Sequence, residues 1–210
     1  GIVSRGACGK GARRFALLYR ESSREFGRIV PRGRPAEVTR MGRLTGLTNS
    51  TSWVDWRLLK KNRAQFQFFR QLIALRRAHP VFRRHNFFSP PHPENDPPHR
   101  YEIIWQSLEP GRQDWSEECR TLAFILNGSV LEEEDDDFLV MLNGHRDQKL
   151  TFTVPAPPDP HRTRVWKKII STGNVSPGDF VAEDAALTVA AGARVAVEPL
   201  ACVVLQSKRR

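Results

Sequence analysis

Acidic residues are almost missing from the first 89 positions of this 210-residue chain. Glu21, Glu25, Glu37 and Asp55 stand there against twenty Lys and Arg. From residue 90 the balance reverses, with nineteen acidic and thirteen basic residues, so the net charge of +10 belongs to the N-terminal part. Cysteine is scarce as well. Cys8, Cys119 and Cys202 are an odd number without metal-type spacing, which argues against a disulfide framework and favours a reducing compartment. Long apolar runs are absent: none approaches the ~18–20 residues that a bilayer span needs, and Gly1 does not open a charged-then-apolar leader. The six histidines, His79, His85, His92, His99, His145 and His161, lack the paired spacing of a zinc site. No metal and no cofactor is expected.

Residues 1–48 hold ten Arg and eight Gly but only three aromatics, Phe15, Tyr19 and Phe26, and show no sustained helical or strand periodicity. This is a basic irregular segment. Charge alone can track a phosphate backbone, but sequence-tolerant single-strand binding adds stacking aromatics. Their scarcity makes a nucleic-acid-binding protein the third of three readings.

Residues 49–89 contain the one strong helical pattern. From Asn62 to His79, Phe66, Phe69 and Ile73 alternate with Phe68, Leu72 and Leu75 to give a broad apolar face, opposite Arg63, Gln67, Arg70, Ala74 and Arg77. Asn62 with Gln65 fits a capping-box-like start, Arg76 and Arg77 complement the dipole at the end, and Pro80 stops the helix. Asp55 reads as the cap of the preceding turn. Trp53 and Trp56 in that turn are the candidate substrate-binding residues, since indole faces stack on sugar rings; the competing reading is that they wedge the turn against a neighbouring wall.

Residues 90–100 form a proline-rich linker, because proline propagates neither helix nor central strand. Beyond it, short β runs follow one another at 101–106, 121–126, 138–143, 149–154, 163–170, 186–190, 194–198 and 201–206. Eight such runs without helical interruption predict an all-β antiparallel sandwich over 101–210. Asn127-Gly128 and Asn143-Gly144 are placed to tolerate positive φ at turns. The carboxylates at 132–137 lack the alternating spacing of an oxygen cage for Ca²⁺ and read as a solvated hairpin loop.

Several stretches carry a resemblance through their shared order. They are Ser52-Trp-Val-Asp-Trp56 running on to Gln71-Leu-Ile-Ala-Leu-Arg-Arg-Ala-His-Pro80, Tyr101-Glu-Ile-Ile-Trp105, Asp114-Trp115, the runs ending at Asn127 and Asn143, Ser176-Pro-Gly-Asp-Phe180, and Leu200-Ala-Cys-Val-Val-Leu-Gln-Ser207. Over about 49–210 the chain resembles the C-terminal third of isoamylase-type glycogen and starch debranching enzymes. Pro31 to Leu47 departs from the family's asparagine-rich loop. The resemblance implies the last helix of a (β/α)8 barrel followed by the sandwich, a branched α-glucan as partner, no membrane, and a location in cytoplasm or plastid. Retaining glycoside hydrolysis uses two carboxyl groups about 5–5.5 Å apart on rigid elements, and a barrel takes about 250 residues. Four scattered acidic residues before the sandwich supply no such pair, so no catalytic residue is assigned and the chain alone is expected to be inactive. The runner-up is a stand-alone β-sandwich that binds glucan or a protein partner.

Overall fold

Eight strands form where the eight apolar runs lie. In the computed structural model, which describes residues 55–89, 97–159 and 164–209, they are β1 (Ile103–Gln106), β2 (Thr121–Leu126), β3 (Phe138–Asn143), β4 (Leu150–Thr153), β5 (Arg164–Ser171), β6 (Leu187–Val189), β7 (Arg194–Val197) and β8 (Ala201–Arg209). Six make one sheet in the order β1-β2-β3-β8-β5-β6, and β4 pairs with β7 in a ribbon. The pairings among the described residues are antiparallel.

Strand periodicity explains how the larger sheet comes to have two apolar faces. Successive side chains point to opposite faces, and the runs TLAFIL and FLVMLN are apolar at nearly every position. One face carries Ala123, Ile125, Leu139, Met141, Val203 and Leu205, which pack with Phe152, Val154 and Val197 of the ribbon side around fully buried Trp166. The other carries Leu126, Phe138, Ile170 and Val204. A register shift in β5 between Lys168 and Ile170 lets Trp166 serve the first face and Ile170 the second, the re-aiming a β-bulge provides.

The chain divides into two compact units, Gly1–Phe66 and Gln67–Arg210. In the first, α1 (Leu58–Lys61) follows a turn in which Asp55 accepts the Arg57 backbone N–H at 3.0 Å and pairs with its guanidinium. The Asn62 amide nitrogen donates back to the Leu58 carbonyl at 3.1 Å; it turns toward the end of α1, in place of the expected capping role at the start of the next helix.

α2 (Arg63–Ala78) matches the helix expected from the pattern. Its broad apolar face, however, is divided. In the second unit Phe68, Leu72 and Leu75 pack on the outer face of the large sheet, together with Val81 and Phe82 of the 3-10 turn Pro80–Phe82. Phe66, Phe69 and Ile73 remain exposed. The second unit thus has three layers: ribbon, sheet and helix.

Two asparagines anchor the connections. Asn127 donates to the carbonyls of His99 and Tyr101 at 2.8 and 3.0 Å and accepts from Ser129 N–H. Asn143 donates to the carbonyls of Gln148, Val197 and Glu198 and accepts from His145 N–H. Neither following glycine has positive φ; among the described residues that conformation belongs to Gly111, Gly192 and Leu200. Gly128 is required for a different reason. A Cβ there would lie 2.2 Å from the Asp136 carbonyl oxygen.

Candidate functional site

The acidic loop is not solvated. Glu132, Glu133 and Glu134 are exposed, but the aspartates that follow turn inward and Asp137 is fully buried. Asp137 Oδ1 accepts from Gly128 N–H, Ser129 N–H and the Ser129 hydroxyl, while Oδ2 accepts from the Ser207 hydroxyl at 3.0 Å. Burial pushes its pKa up; Arg164 and the Ser207 and Ser129 hydrogen bonds pull against that without cancelling it. Arg164, with a side chain only 3% exposed, bridges Glu134, Asp136 and Asp137.

His79 joins this cluster from the end of α2, so it is not a lone surface histidine. Its Nδ1 lies 2.7 Å from Asp135 Oδ1, and its Nε2 lies 3.3 Å from Gln206 Nε2, which also donates to Asp136 Oδ2 at 2.8 Å. An ionised carboxylate only accepts and an amide nitrogen only donates. The partners therefore assign His79 the neutral tautomer, with the proton on Nδ1. Burial resists ionisation of Asp135 most strongly, but hydrogen bonds from His79, Val81 N–H and Asp136 N–H together hold its carboxyl below the usual range.

His79, Asp135 and Asp136 bring their ligand atoms within 4.8 Å of one another. Asp136 nevertheless already faces Lys208 Nζ at 2.7 Å and Arg164 at 3.8 Å. The cluster carries its own cations, and its arrangement joins α2 to β3, β5 and β8. The same commitment removes Asp135 and Asp136 as an acid and nucleophile pair, because each carboxylate is held by fixed donors rather than facing an open cleft.

A second constellation lies at the β1 edge. Trp105 and Trp115 meet edge to face with ring centroids 5.6 Å apart, and Trp105 also meets Phe124 at 5.4 Å. Trp115 Nε1 donates to Gln113 Oε1 at 3.0 Å, and Gln113 Nε2 donates to the Trp105 carbonyl at 3.3 Å. An open cleft of about 250 Å³ is lined by Asp114, Ser116, Arg120, Thr121 and His145 among others. Cys119 also lines it, with its thiol 3.2 Å from the Thr121 carbonyl. Cys119 and Cys202 are free, and burial pushes the Cys202 thiol up to about 12. The pairing of Trp105 with Trp115 was not singled out from the sequence; the signal available was two tryptophans flanking a polar loop next to a strand.

Of the two substrate-binding candidates, Trp53 lies outside the described residues, while Trp56 presents an indole 74% exposed. No described helix is long and apolar enough to cross a membrane.

Residues 104–202 match the family described as isoamylase 1-3, C-terminal. Glycogen operon protein GlgX homologs of Mycobacterium bovis and Mycobacterium tuberculosis are each 33% identical to this chain over 116 residues, covering 50% of it and 16% of the relative. Isoamylase 3, chloroplastic, of Oryza sativa subsp. japonica is 25% identical over 155 residues, covering 73% of this chain and 17% of the relative. The matched part spans about a sixth of the length of these curated relatives. Over residues 104–202, a sandwich whose outer face is covered by a helix, the chain carries the C-terminal domain of the isoamylase-type debranching family.

Proposed function

We infer that this chain serves as the C-terminal segment of an α-1,6-glucan debranching glycoside hydrolase acting on glycogen or starch. The observation that carries the reading is the family match over 104–202. The chemistry of the described carboxylates supports it. Retaining hydrolysis needs two carboxyl groups about 5–5.5 Å apart that both reach the scissile bond. The close carboxylates here, Asp135 and Asp136, are occupied by His79, Lys208, Gln206 and backbone N–H groups. The nucleophile and the acid are accordingly supplied by barrel polypeptide outside these 210 residues. In this reading α2 is the last barrel helix, with exposed Phe66, Phe69 and Ile73 facing the barrel, residues 90–100 are the linker, and the enzyme works in cytoplasm or plastid.

The test is transfer of the segment. Joined to the catalytic portion of the rice isoamylase 3 or a mycobacterial GlgX homolog lacking its own C-terminal segment, the chain should restore release of reducing ends from amylopectin. The chain by itself should release none. Activity of the purified chain alone, or a well-folded chimera without activity, would sink the reading.

A further inference from the structure

Trp115 is a large apolar side chain that the fold holds at the surface. Its ring is 56% exposed, although burial of an aromatic side chain contributes about 1.5–3 kcal/mol. The exposure is imposed by specific contacts: the indole N–H is fixed by Gln113, Gln113 is fixed by the Trp105 carbonyl, and the ring stands edge to face on Trp105. Such a preorganised aromatic face binds a flat apolar ligand surface without the entropy cost of ordering the ring.

The surroundings narrow the ligand. Asp114 and Ser116, the sequence neighbours of Trp115, line the open cleft with Arg120, Thr121 and His145. Asp114 is itself tied by the Ser116 backbone N–H at 2.9 Å, which fixes its carboxylate beside the ring. Fixed aromatic face and polar rim together match a pyranose, whose C–H face stacks on indole while its ring hydroxyls meet carboxylate, guanidinium and hydroxyl groups. The charge excludes the other common stacking ligand. Glu109, Asp114, Glu117 and Glu118 stand in this loop against Arg112 alone, so a nucleic-acid strand meets carboxylates where its phosphates need cations.

We propose that Trp115, braced by Trp105 and Gln113 beside the Asp114–Ser116–Arg120 cleft, is a non-catalytic binding platform for a linear α-1,4-glucan chain. The proposal rests on the glucan reading above and adds a surface that would hold an outer chain of the branched substrate away from the scissile bond. Apolar stacking supplies affinity and the cleft supplies orientation.

Titration of the full 210-residue chain with maltoheptaose, followed by tryptophan fluorescence and calorimetry, tests it. Trp115→Ala should weaken binding about tenfold or more, while Trp115→Phe, which keeps an aromatic face, should retain most of it. Circular dichroism and the unfolding midpoint check that both variants fold; Trp115→Phe carries the comparison if Trp115→Ala does not. Undiminished binding by folded Trp115→Ala overturns the platform. Loss in Trp56→Ala with Trp115→Ala unaffected does the same and leaves the glucan reading standing. Absence of maltoheptaose binding at millimolar concentration overturns the platform even where the chimera described above is active, which separates the two readings. Tighter binding of a single-stranded oligonucleotide than of maltoheptaose also overturns it.

Discussion

His79 Nδ1 lies 2.7 Å from Asp135 Oδ1, across 56 residues of sequence, and joins the end of α2 to the loop that leads into β3. Both side chains are nearly buried, so loss of one partner leaves the other desolvated. A hydrogen bond lost in this way costs about 1–3 kcal/mol. His79→Ala should lower the urea midpoint accordingly. In a double-mutant cycle with Asp135→Asn, the two losses should fall short of additivity, because both remove the same bond. Full additivity would show that the pair is not coupled.

Much of this architecture was legible in the sequence, and the limits were physical. All eight strands formed where apolar runs were bounded by turn residues, since strand identity depends on local pattern. The loop at 132–137 was not legible. Its aspartates are neutralised by Arg164, Lys208 and His79, which reach them across 27 to 72 positions of sequence, and no local charge count contains that information. The split face of α2 was likewise hidden, although the unbroken apolar runs of β2 and β3 were a usable signal. A sheet with one wet face shows alternation; these strands do not, and the second face is covered by Phe68, Leu72 and Leu75.

Asp135 and Asp137 should act oppositely on the acid side of the stability profile. Asp135 has a folded pKa below its ordinary value of 3.8, so its contribution is present above that value and disappears as pH falls through the depressed one. Asp137 has a raised pKa; its contribution is full below 3.8 and declines as pH rises through the folded value. Unfolding midpoints between pH 2 and 6 for the wild type, Asp135→Asn and Asp137→Asn resolve the two. The wild type should lose its advantage over Asp135→Asn on acidification. The midpoint of Asp137→Asn should gain on the wild type as pH rises. A constant gap in either comparison contradicts the assigned direction.

Gly128→Ala should be among the most damaging single-methyl changes in this domain. The new Cβ would meet the Asp136 carbonyl oxygen at 2.2 Å and Asp135 backbone atoms at 2.7 and 2.8 Å. Backbone cannot swing aside as a side-chain tip can, and Gly128 N–H must keep its bond to buried Asp137. Overpacking of this kind costs about 1–3 kcal/mol or more. Gly111→Ala provides the contrast, because its Cβ meets nothing within 4 Å and only its positive φ opposes the change. Equal midpoints for the two variants would show that the Asp135–Asp136 backbone yields.

Truncation tests where the domain begins. A fragment of residues 101–210 contains all eight strands, and the linker reading would have it fold alone. The outer face of its large sheet, however, would lose Phe68, Leu72, Leu75, Val81 and Phe82, exposing Phe138, Leu126, Ile170 and Val204. At about 1 kcal/mol for each half-covered side chain, the loss is on the order of 5 kcal/mol, comparable with the whole stability of a marginal domain. His79 and its bond to Asp135 go with them. A 67–210 fragment should therefore unfold cooperatively and bind little hydrophobic dye, whereas 101–210 should unfold earlier and bind it strongly. If the two fragments share one midpoint and neither binds dye, α2 is an accessory to the sandwich, and the boundary belongs at the proline-rich linker.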